Sequence, residues 1–140
     1  MTINELNAAL DIKERREKLS PALKLQLQID SYYDELKDVR AGNVRGSAAT
    51  SMPKGGVALS AGDKIAEIEA EIERLEAEKK IEAEIIRRKI LSFDLDEREE
   101  KLLMLRYVRC LPWCEVYPRI GLKKSWTHEV ERNILAKISL

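Results

Sequence analysis

The feature that most constrains this chain is a heptad-spaced apolar seam in its middle. The residues of the seam are Ile65, Ile68, Ile72, Leu75 and Ile86. The first four lie three or four residues apart, and the last follows after eleven, the step that a four-residue stutter produces. The spacing predicts one helix over residues 63–91, about 43 Å long at the usual rise per residue. A seam of this length needs a second long helix to cover it.

The glycines mark where that second helix could end. Five of the six glycines fall within residues 42–62, together with Pro53, so this stretch predicts a loop. Before it, Ser20 and Pro21 have the pattern of an N-cap followed by proline at the first helical position, and the apolar spacing continues that helix to about Ala41. Either this helix, folded back across the loop, or a second copy of the chain would cover the seam. In the second case, the seam residues are the oligomerisation surface.

Composition excludes several classes of protein. The chain has 140 residues, of which 44% are hydrophobic, so it is not a wholly disordered tail. No stretch approaches the roughly 20 apolar residues of a membrane span, and the first residues lack the pattern of a secretory signal. We therefore expect a soluble cytoplasmic protein without a membrane partner. Cys110 and Cys114 are too few for a disulfide scaffold and are expected to be reduced, partly buried thiols.

The last third of the chain follows a different pattern. Asp94 and Glu97 start another helix as a capping box, and Pro112, Pro118 and Gly121 then divide the remainder into two short helical segments. A short helix, a glycine turn and a second, crossing helix are the parts of a helix-turn-helix, which reads the major groove of DNA. With the glycine in the turn, the residues expected to face inward are Val116, Ile120, Leu122, Thr127, Val130, Ile134 and Ile138.

The same register leaves polar and basic side chains on the open face of the second helix. These candidate DNA-binding residues are Lys123, Lys124, Ser125, His128 and Arg132. Side chains of these types contact phosphates and base edges. His128 is expected to be a surface or DNA-proximal side chain rather than a catalytic base, and Trp113 and Trp126 are expected to fill the small core.

Three stretches of this region carry a family resemblance. They are DEREEKLLMLRYV at residues 96–108, LPWCEV at 111–116 and IGLKKSW at 120–126. They resemble region 4 of sigma factors and, in particular, phage regulators of the ArpU and RinA type. In those proteins a leucine-rich helix ending in Arg-Tyr leads into a Trp-x-Glu segment, a glycine turn and a basic recognition helix. LAKI at 135–138 fits the end of that helix. MPKGG at 52–56 is similar to a stretch in related uncharacterised phage proteins with a coiled-coil half.

The resemblance implies sequence-specific binding to double-stranded DNA and control of phage or prophage genes, often late or packaging genes. Some residues depart from the family pattern. Pro118 lies inside the first short helix, where proline costs about 3 kcal/mol in a regular helix, and Tyr117 stands where a small residue is usual. Lys123 replaces the Ser or Thr cap, and Glu129 and Glu131 are expected to bring negative charge close to the DNA face.

These observations predict an all-α protein in two parts. Residues 1–93 form a coiled-coil hairpin or oligomerisation region around the glycine-rich loop, and residues 94–140 form a three-helix, sigma region 4-like helix-turn-helix domain. Because residues 110–140 carry five basic and three acidic side chains, one module would bind DNA weakly. A homodimer or higher homo-oligomer would add a second half-site. The predicted function is a late-gene transcriptional regulator in the bacterial host cytoplasm, with RNA polymerase as a further partner.

Two alternatives remain open at this point. A phage small terminase subunit, which packages DNA, also combines a helix-turn-helix with oligomerising helices and would form a large ring. A coiled-coil interaction protein with a degenerate helix-turn-helix would bind a protein partner and no DNA. An enzyme is not predicted, because the sequence has no Ser/His/Asp set, no metal-ligand spacing and no phosphate-binding loop. No cofactor and no metal are predicted either.

Overall fold

The computed structural model describes residues 2–42 and 61–138, and these residues form helices and connecting turns without a strand. The α-helices in chain order are α1 (Ile3–Lys18), α2 (Pro21–Arg40), α3 (Ala61–Ser92), α4 (Glu97–Leu103), α5 (Trp113–Ile120) and α6 (Lys124–Lys137). The predicted all-α class is confirmed. Most of the predicted loop, including the stretch at 52–56, lies outside the described residues. None of the helices described is both long and apolar enough to cross a membrane.

Contacts divide the chain into two compact units. The first comprises Met1–Lys24 and Lys79–Leu140, and the second comprises Leu25–Glu78. This division differs from the boundary expected at residue 93. The reason is that α1 packs against α6, and that the last turns of α3 contribute Ile86 and Ile90 to the same core as the C-terminal helices.

The core of the second unit contains most of the predicted seam. Its buried residues are Ile29, Leu36 and Val39 of α2 and Ile68, Ile72 and Leu75 of α3. Ile65 packs at the edge of this core and is partly buried, whereas Ile86 is buried in the first unit. Burial of each such Ile or Leu side chain contributes roughly 1.5–3 kcal/mol. Within the second unit, the seam is therefore covered by α2 of the same chain, the first of the two partners expected from the sequence.

In the first unit, α4 continues directly into the π-helical turn Met104–Val108. Its widened spacing is visible where the Arg109 amide donates to the carbonyl oxygen of Met104 at 2.9 Å. Cys110 follows two residues after the end of the turn, and its φ of 57° lies in the left-handed region that residues other than glycine rarely adopt. The Cys110 side chain is buried, with its sulfur 3.6 Å from the carbonyl oxygen of Val108.

Helices α5 and α6 are joined by residues 121–123. Gly121 has a φ of 77°, and its amide donates to the carbonyl oxygen of Tyr117 at 3.0 Å, which closes α5. Pro118 does not end the helix, which continues to Ile120. Of the residues expected to face inward, those buried are Val116, Ile120, Thr127, Ile134 and Ile138. Leu122 and Val130 are partly buried and pack against the same core.

Replacement of Gly121 tests the turn between α5 and α6. A Cβ at this position would meet no atom within 4 Å, so the cost of Gly121→Ala comes from the left-handed backbone alone. We expect the free energy of unfolding to fall by about 1–2 kcal/mol in urea denaturation. Gly121→Asn should lose less, because asparagine adopts this conformation more readily than alanine. Equal losses in the two variants would contradict this explanation.

Candidate nucleic-acid interface

Helix α6 and its N-cap residue present exposed polar and basic side chains. Lys123, Lys124, Ser125 and Arg132 are exposed, as predicted. Lys123 occupies the N-cap position, and its side chain makes no capping hydrogen bond. The first amide groups of α6 are therefore not satisfied by a capping side chain, and such a helix N-terminus favours an anion such as phosphate. We call these four residues the basic face of α6.

His128 is not the outward-facing side chain that the sequence predicts. Its ring is partly buried, and its Nε2 atom lies 2.8 Å from the hydroxyl oxygen of Tyr117. The same ring meets Trp113 edge-on, with 4.6 Å between the ring centroids. Tyr117 is tolerated where a small residue was expected because its hydroxyl group has this hydrogen-bond partner on α6. The three aromatic side chains thus connect α5 to α6.

Trp126 lies on the surface, where 59% of it is exposed. The prediction that it fills the core is wrong for this residue. Thr127, one position later, takes the inward place, and its hydroxyl group donates to the carbonyl oxygen of Lys123 at 3.0 Å. Trp113, in contrast, is partly buried and packs against the core of the first unit. An exposed tryptophan therefore lies in sequence directly beside the basic face.

Glu131 points into the protein and is only 3% exposed. One carboxylate oxygen accepts a hydrogen bond from an Arg16 guanidinium nitrogen at 2.8 Å, and the other accepts one from the Tyr107 hydroxyl group at 2.7 Å. The sequence predicted that Glu131 would bring negative charge close to the DNA face, and this prediction is wrong because two donors from the core hold the carboxylate inside. Glu129, the other glutamate expected close to the DNA face, is exposed.

The buried network also changes the ionisation of its members. Burial, followed by the nearby carboxylate of Glu131, raises the pKa of Tyr107 well above its ordinary value, so the hydroxyl group stays protonated and able to donate. Desolvation would lower the pKa of Arg16, but the hydrogen bond and charge of Glu131 outweigh it, and the pKa lies above its ordinary value. At neutral pH the network therefore contains a guanidinium cation from Arg16 and a neutral phenol from Tyr107.

Two further side chains hold the end of α6. The guanidinium group of Arg15 donates to the carbonyl oxygens of Leu135 and Ala136 at 2.7 and 2.9 Å, which satisfies acceptors that a helix C-terminus leaves free. The ammonium group of Lys137 lies 2.7 Å from Glu99 of α4, and this hydrogen bond raises the pKa of Lys137. These contacts have no distinctive sign in the sequence, because arginines on a charged helix usually belong to a solvated face.

Comparison with known proteins adds no relative. No family model matches the chain, and no match was found among curated proteins or solved structures. Within the described ranges, no group of three His, Cys, Asp or Glu residues is placed to hold a metal ion. Of the two cysteines, Cys110 is buried and Cys114 is exposed. A function is therefore inferred from the geometry of α6 and of the side chains that bond to it.

The buried position of Glu131 can be tested by substitution. Glu131→Gln should lower the free energy of unfolding by about 1–3 kcal/mol, because it weakens two charge-assisted hydrogen bonds in a buried place. Glu129→Gln, on the exposed side of the same helix, should change it by less than about 0.5 kcal/mol. Urea unfolding of both variants gives the comparison, and similar values for the two would contradict the inward orientation of Glu131.

The Tyr107 hydroxyl group predicts a loss of stability in alkali. Its pKa is raised in the folded protein, so unfolding releases a proton once the pH exceeds the ordinary tyrosine pKa of about 10, and stability falls as the pH rises beyond that value. Tyr107→Phe should have a lower free energy of unfolding at pH 7 than the unchanged protein. Between about pH 9 and 11, however, its free energy of unfolding should fall by less than that of the unchanged protein. Tyr33→Phe is the comparison, at an exposed tyrosine whose pKa the charge of Glu76 also raises. Because that site is open to solvent, this variant should remove a smaller part of the decline than Tyr107→Phe. A parallel decline in the Tyr107→Phe variant would contradict this assignment.

Proposed function

We propose that the chain binds duplex DNA through α6 and regulates transcription of phage or prophage genes. The observation that supports this most is the distribution of charge on α6. Lys123 and Lys124 are exposed at an N-terminus without a side-chain cap, and Arg132 is exposed farther along the helix, whereas Glu131 is buried and paired with Arg16. Positive groups of this kind supply phosphate contacts, and a helix held by its inner face can present its outer face to a groove.

The resemblance to sigma-factor region 4 and to phage regulators supports the same proposal. The segments that carry it correspond to α4 with its π-helical turn, to α5 and to the start of α6. The departures from the family pattern have local compensations. Tyr117 is bonded to His128, and Pro118 stands within α5 without shortening it at that point. RNA polymerase as a partner and a bacterial cytoplasm as location belong to this proposal.

A dimer or larger oligomer would strengthen binding by a module with so few cations. The seam residues of the second unit are already covered by α2, so an oligomer needs another surface. The exposed apolar residues Ile3, Leu6 and Leu10 of α1, three and four positions apart, offer one. Mass measurement by light scattering decides among a monomer, a dimer and the large ring that a small terminase subunit would form.

The salt dependence of binding tests the role of the basic face. Lys124→Ala with Arg132→Ala should weaken binding to duplex DNA and reduce the slope of log affinity against log salt by about 1 for each phosphate that is no longer neutralised. Fluorescence anisotropy with labelled genomic fragments provides the measurement. Lys13→Ala, which removes an exposed lysine of α1, is the matched control. A slope unchanged by the double substitution would place the DNA-binding surface elsewhere.

A protein partner is the second candidate, and the exposure of Trp126 favours it. Tryptophan is over-represented among residues that dominate protein interfaces, and 59% exposure leaves this side chain available to a partner. If the folded chain binds no DNA at low salt, while Trp126→Ala abolishes binding to purified RNA polymerase, the interaction protein is the better explanation. Loss of DNA binding in Trp126→Ala would instead place this side chain in the DNA interface.

A further inference from the structure

A cleft of about 340 Å³ opens in the first unit. Its walls include Arg16, Leu23, Arg106, Trp113, His128 and Glu131, contributed by α1, α2, the π-helical turn, α5 and α6. Ligand pockets in proteins begin at about 300 Å³ and combine apolar walls with a few polar groups that fix the orientation of the ligand. This cleft has the volume of a site for a small molecule, and its walls include both kinds of group.

Arg106 is the residue that gives the cleft its chemistry. Its side chain is partly buried, with the guanidinium carbon 4.7 Å from the centroid of the Trp113 ring. One of its nitrogens donates to the carbonyl oxygen of Leu111 at 3.0 Å. A guanidinium group has five N–H donors in a planar fork, so donors remain after this bond. A bidentate carboxylate or phosphate is the natural partner for such a fork.

The charges around the cleft do not cancel. Glu131 is already paired with Arg16 and also accepts from Tyr107. Arg106 forms no ion pair with a carboxylate in the described part of the chain, where its polar partner is the uncharged Leu111 carbonyl. Two guanidinium groups against one carboxylate leave one positive charge uncompensated. Partial burial removes water from that charge, which makes an anionic partner more favourable there than on an open surface.

The backbone beneath Arg106 is unusual as well. The residue lies within the π-helical turn, and turns of this type occur frequently at functional sites. The turn is followed by the left-handed Cys110, a conformation that costs energy in a residue other than glycine. The turn carries two of the wall residues of the cleft, Arg106 and Tyr107, whereas Cys110 lies in the connection between the turn and α5.

We propose that this cleft binds a small organic anion. Its carboxylate or phosphate group pairs with Arg106, and its apolar body lies against Trp113 and Leu23. An organic anion fits better than an inorganic ion because one wall is aromatic and aliphatic. The proposal is independent of DNA binding, although His128 and Glu131 of the cleft belong to α6, so a bound ligand would contact the helix that carries the basic face.

Tryptophan fluorescence of the full chain tests the site. Trp126→Phe leaves Trp113 as the sole tryptophan, because the sequence contains two. Benzoate, phenyl phosphate, inorganic phosphate and neutral benzamide are titrated separately at low ionic strength. We expect a saturable change with benzoate or phenyl phosphate, a weaker one with inorganic phosphate and none with benzamide. The stronger of the two aromatic anions identifies the preferred acid group.

Substitution of Arg106 in the same background locates the binding. Arg106→Gln should weaken it at least about tenfold, the loss expected when a charge-assisted hydrogen bond is removed. Arg106→Lys keeps the charge without the planar fork, so its affinity for the aromatic anion should lie between that of the Trp126→Phe parent and that of Arg106→Gln. Arg98→Gln, at an exposed arginine of α4, should leave it unchanged. Circular dichroism checks that each variant is folded.

Three results would overturn the proposal. They are the absence of a saturable change with either aromatic anion, equal binding of benzamide and benzoate, and unchanged affinity in a folded Arg106→Gln variant. If Arg106→Gln does not fold, the difference in affinity between benzoate and benzamide in the parent protein still tests whether the site requires an anion. Failure here would leave the proposed DNA binding intact, because that is measured with duplex DNA on the other variants.

Discussion

The buried carboxylate of Glu131 is the interaction on which the arrangement of the first unit depends most. A carboxylate inside a protein needs donors, and Glu131 has one from α1 and one from the π-helical turn, at 2.8 and 2.7 Å. These bonds join α6 to two other elements through a single side chain. They also determine the rotation of α6 about its axis, because Glu131 can face inward only if the residues on the opposite side face outward. Arg132, about 100° around the helix from Glu131, is exposed. Lys124 lies about two turns before Glu131, on the same side of the helix, and is exposed as the first residue of α6.

Much of the fold could be predicted from the sequence, because its signals are local. The seam spacing predicted the long helix that became α3, and the left-handed Gly121 stands at the predicted turn. Long helices and glycine turns depend on the periodicity and backbone freedom of neighbouring residues, which a single sequence displays directly. The apolar seam by itself does not distinguish coverage by α2 from coverage by a second copy of the chain, because its spacing specifies only that some helix packs against it.

The features that escaped prediction depend on contacts between distant parts of the chain. The burial of Glu131 could not be predicted, because the donors of its two hydrogen bonds lie 24 and 115 residues away in sequence. The hydrogen bond between His128 and Tyr117 could not be predicted either, because the two residues belong to different helices. The position of Trp126 in the three-helix unit predicted a core residue, yet Thr127 fills the inward position with a shorter side chain and a backbone hydrogen bond. The π-helical turn had no signal in the pattern of apolar residues.

Helix α1 supports the C-terminal helices through two arginine side chains. Arg15 and Arg16 are adjacent in sequence, and they bond to the end and to the middle of α6 respectively. An N-terminal helix that was expected to belong to an oligomerisation region therefore supports the helix proposed to meet DNA. This explains why residues Met1–Lys24 group with the C-terminal helices. A change that detaches α1 would affect the orientation of the basic face without altering any residue on it.

Footprinting on duplex fragments of the genome that encodes the protein tests the proposed DNA binding most directly. We expect the folded chain to protect a defined site at low salt, with protection that declines as salt is raised because phosphate contacts supply much of the affinity. For a dimer, two protected half-sites should lie about one helical turn apart, or a multiple of it. A folded chain that protects no fragment at low salt would contradict DNA binding through α6.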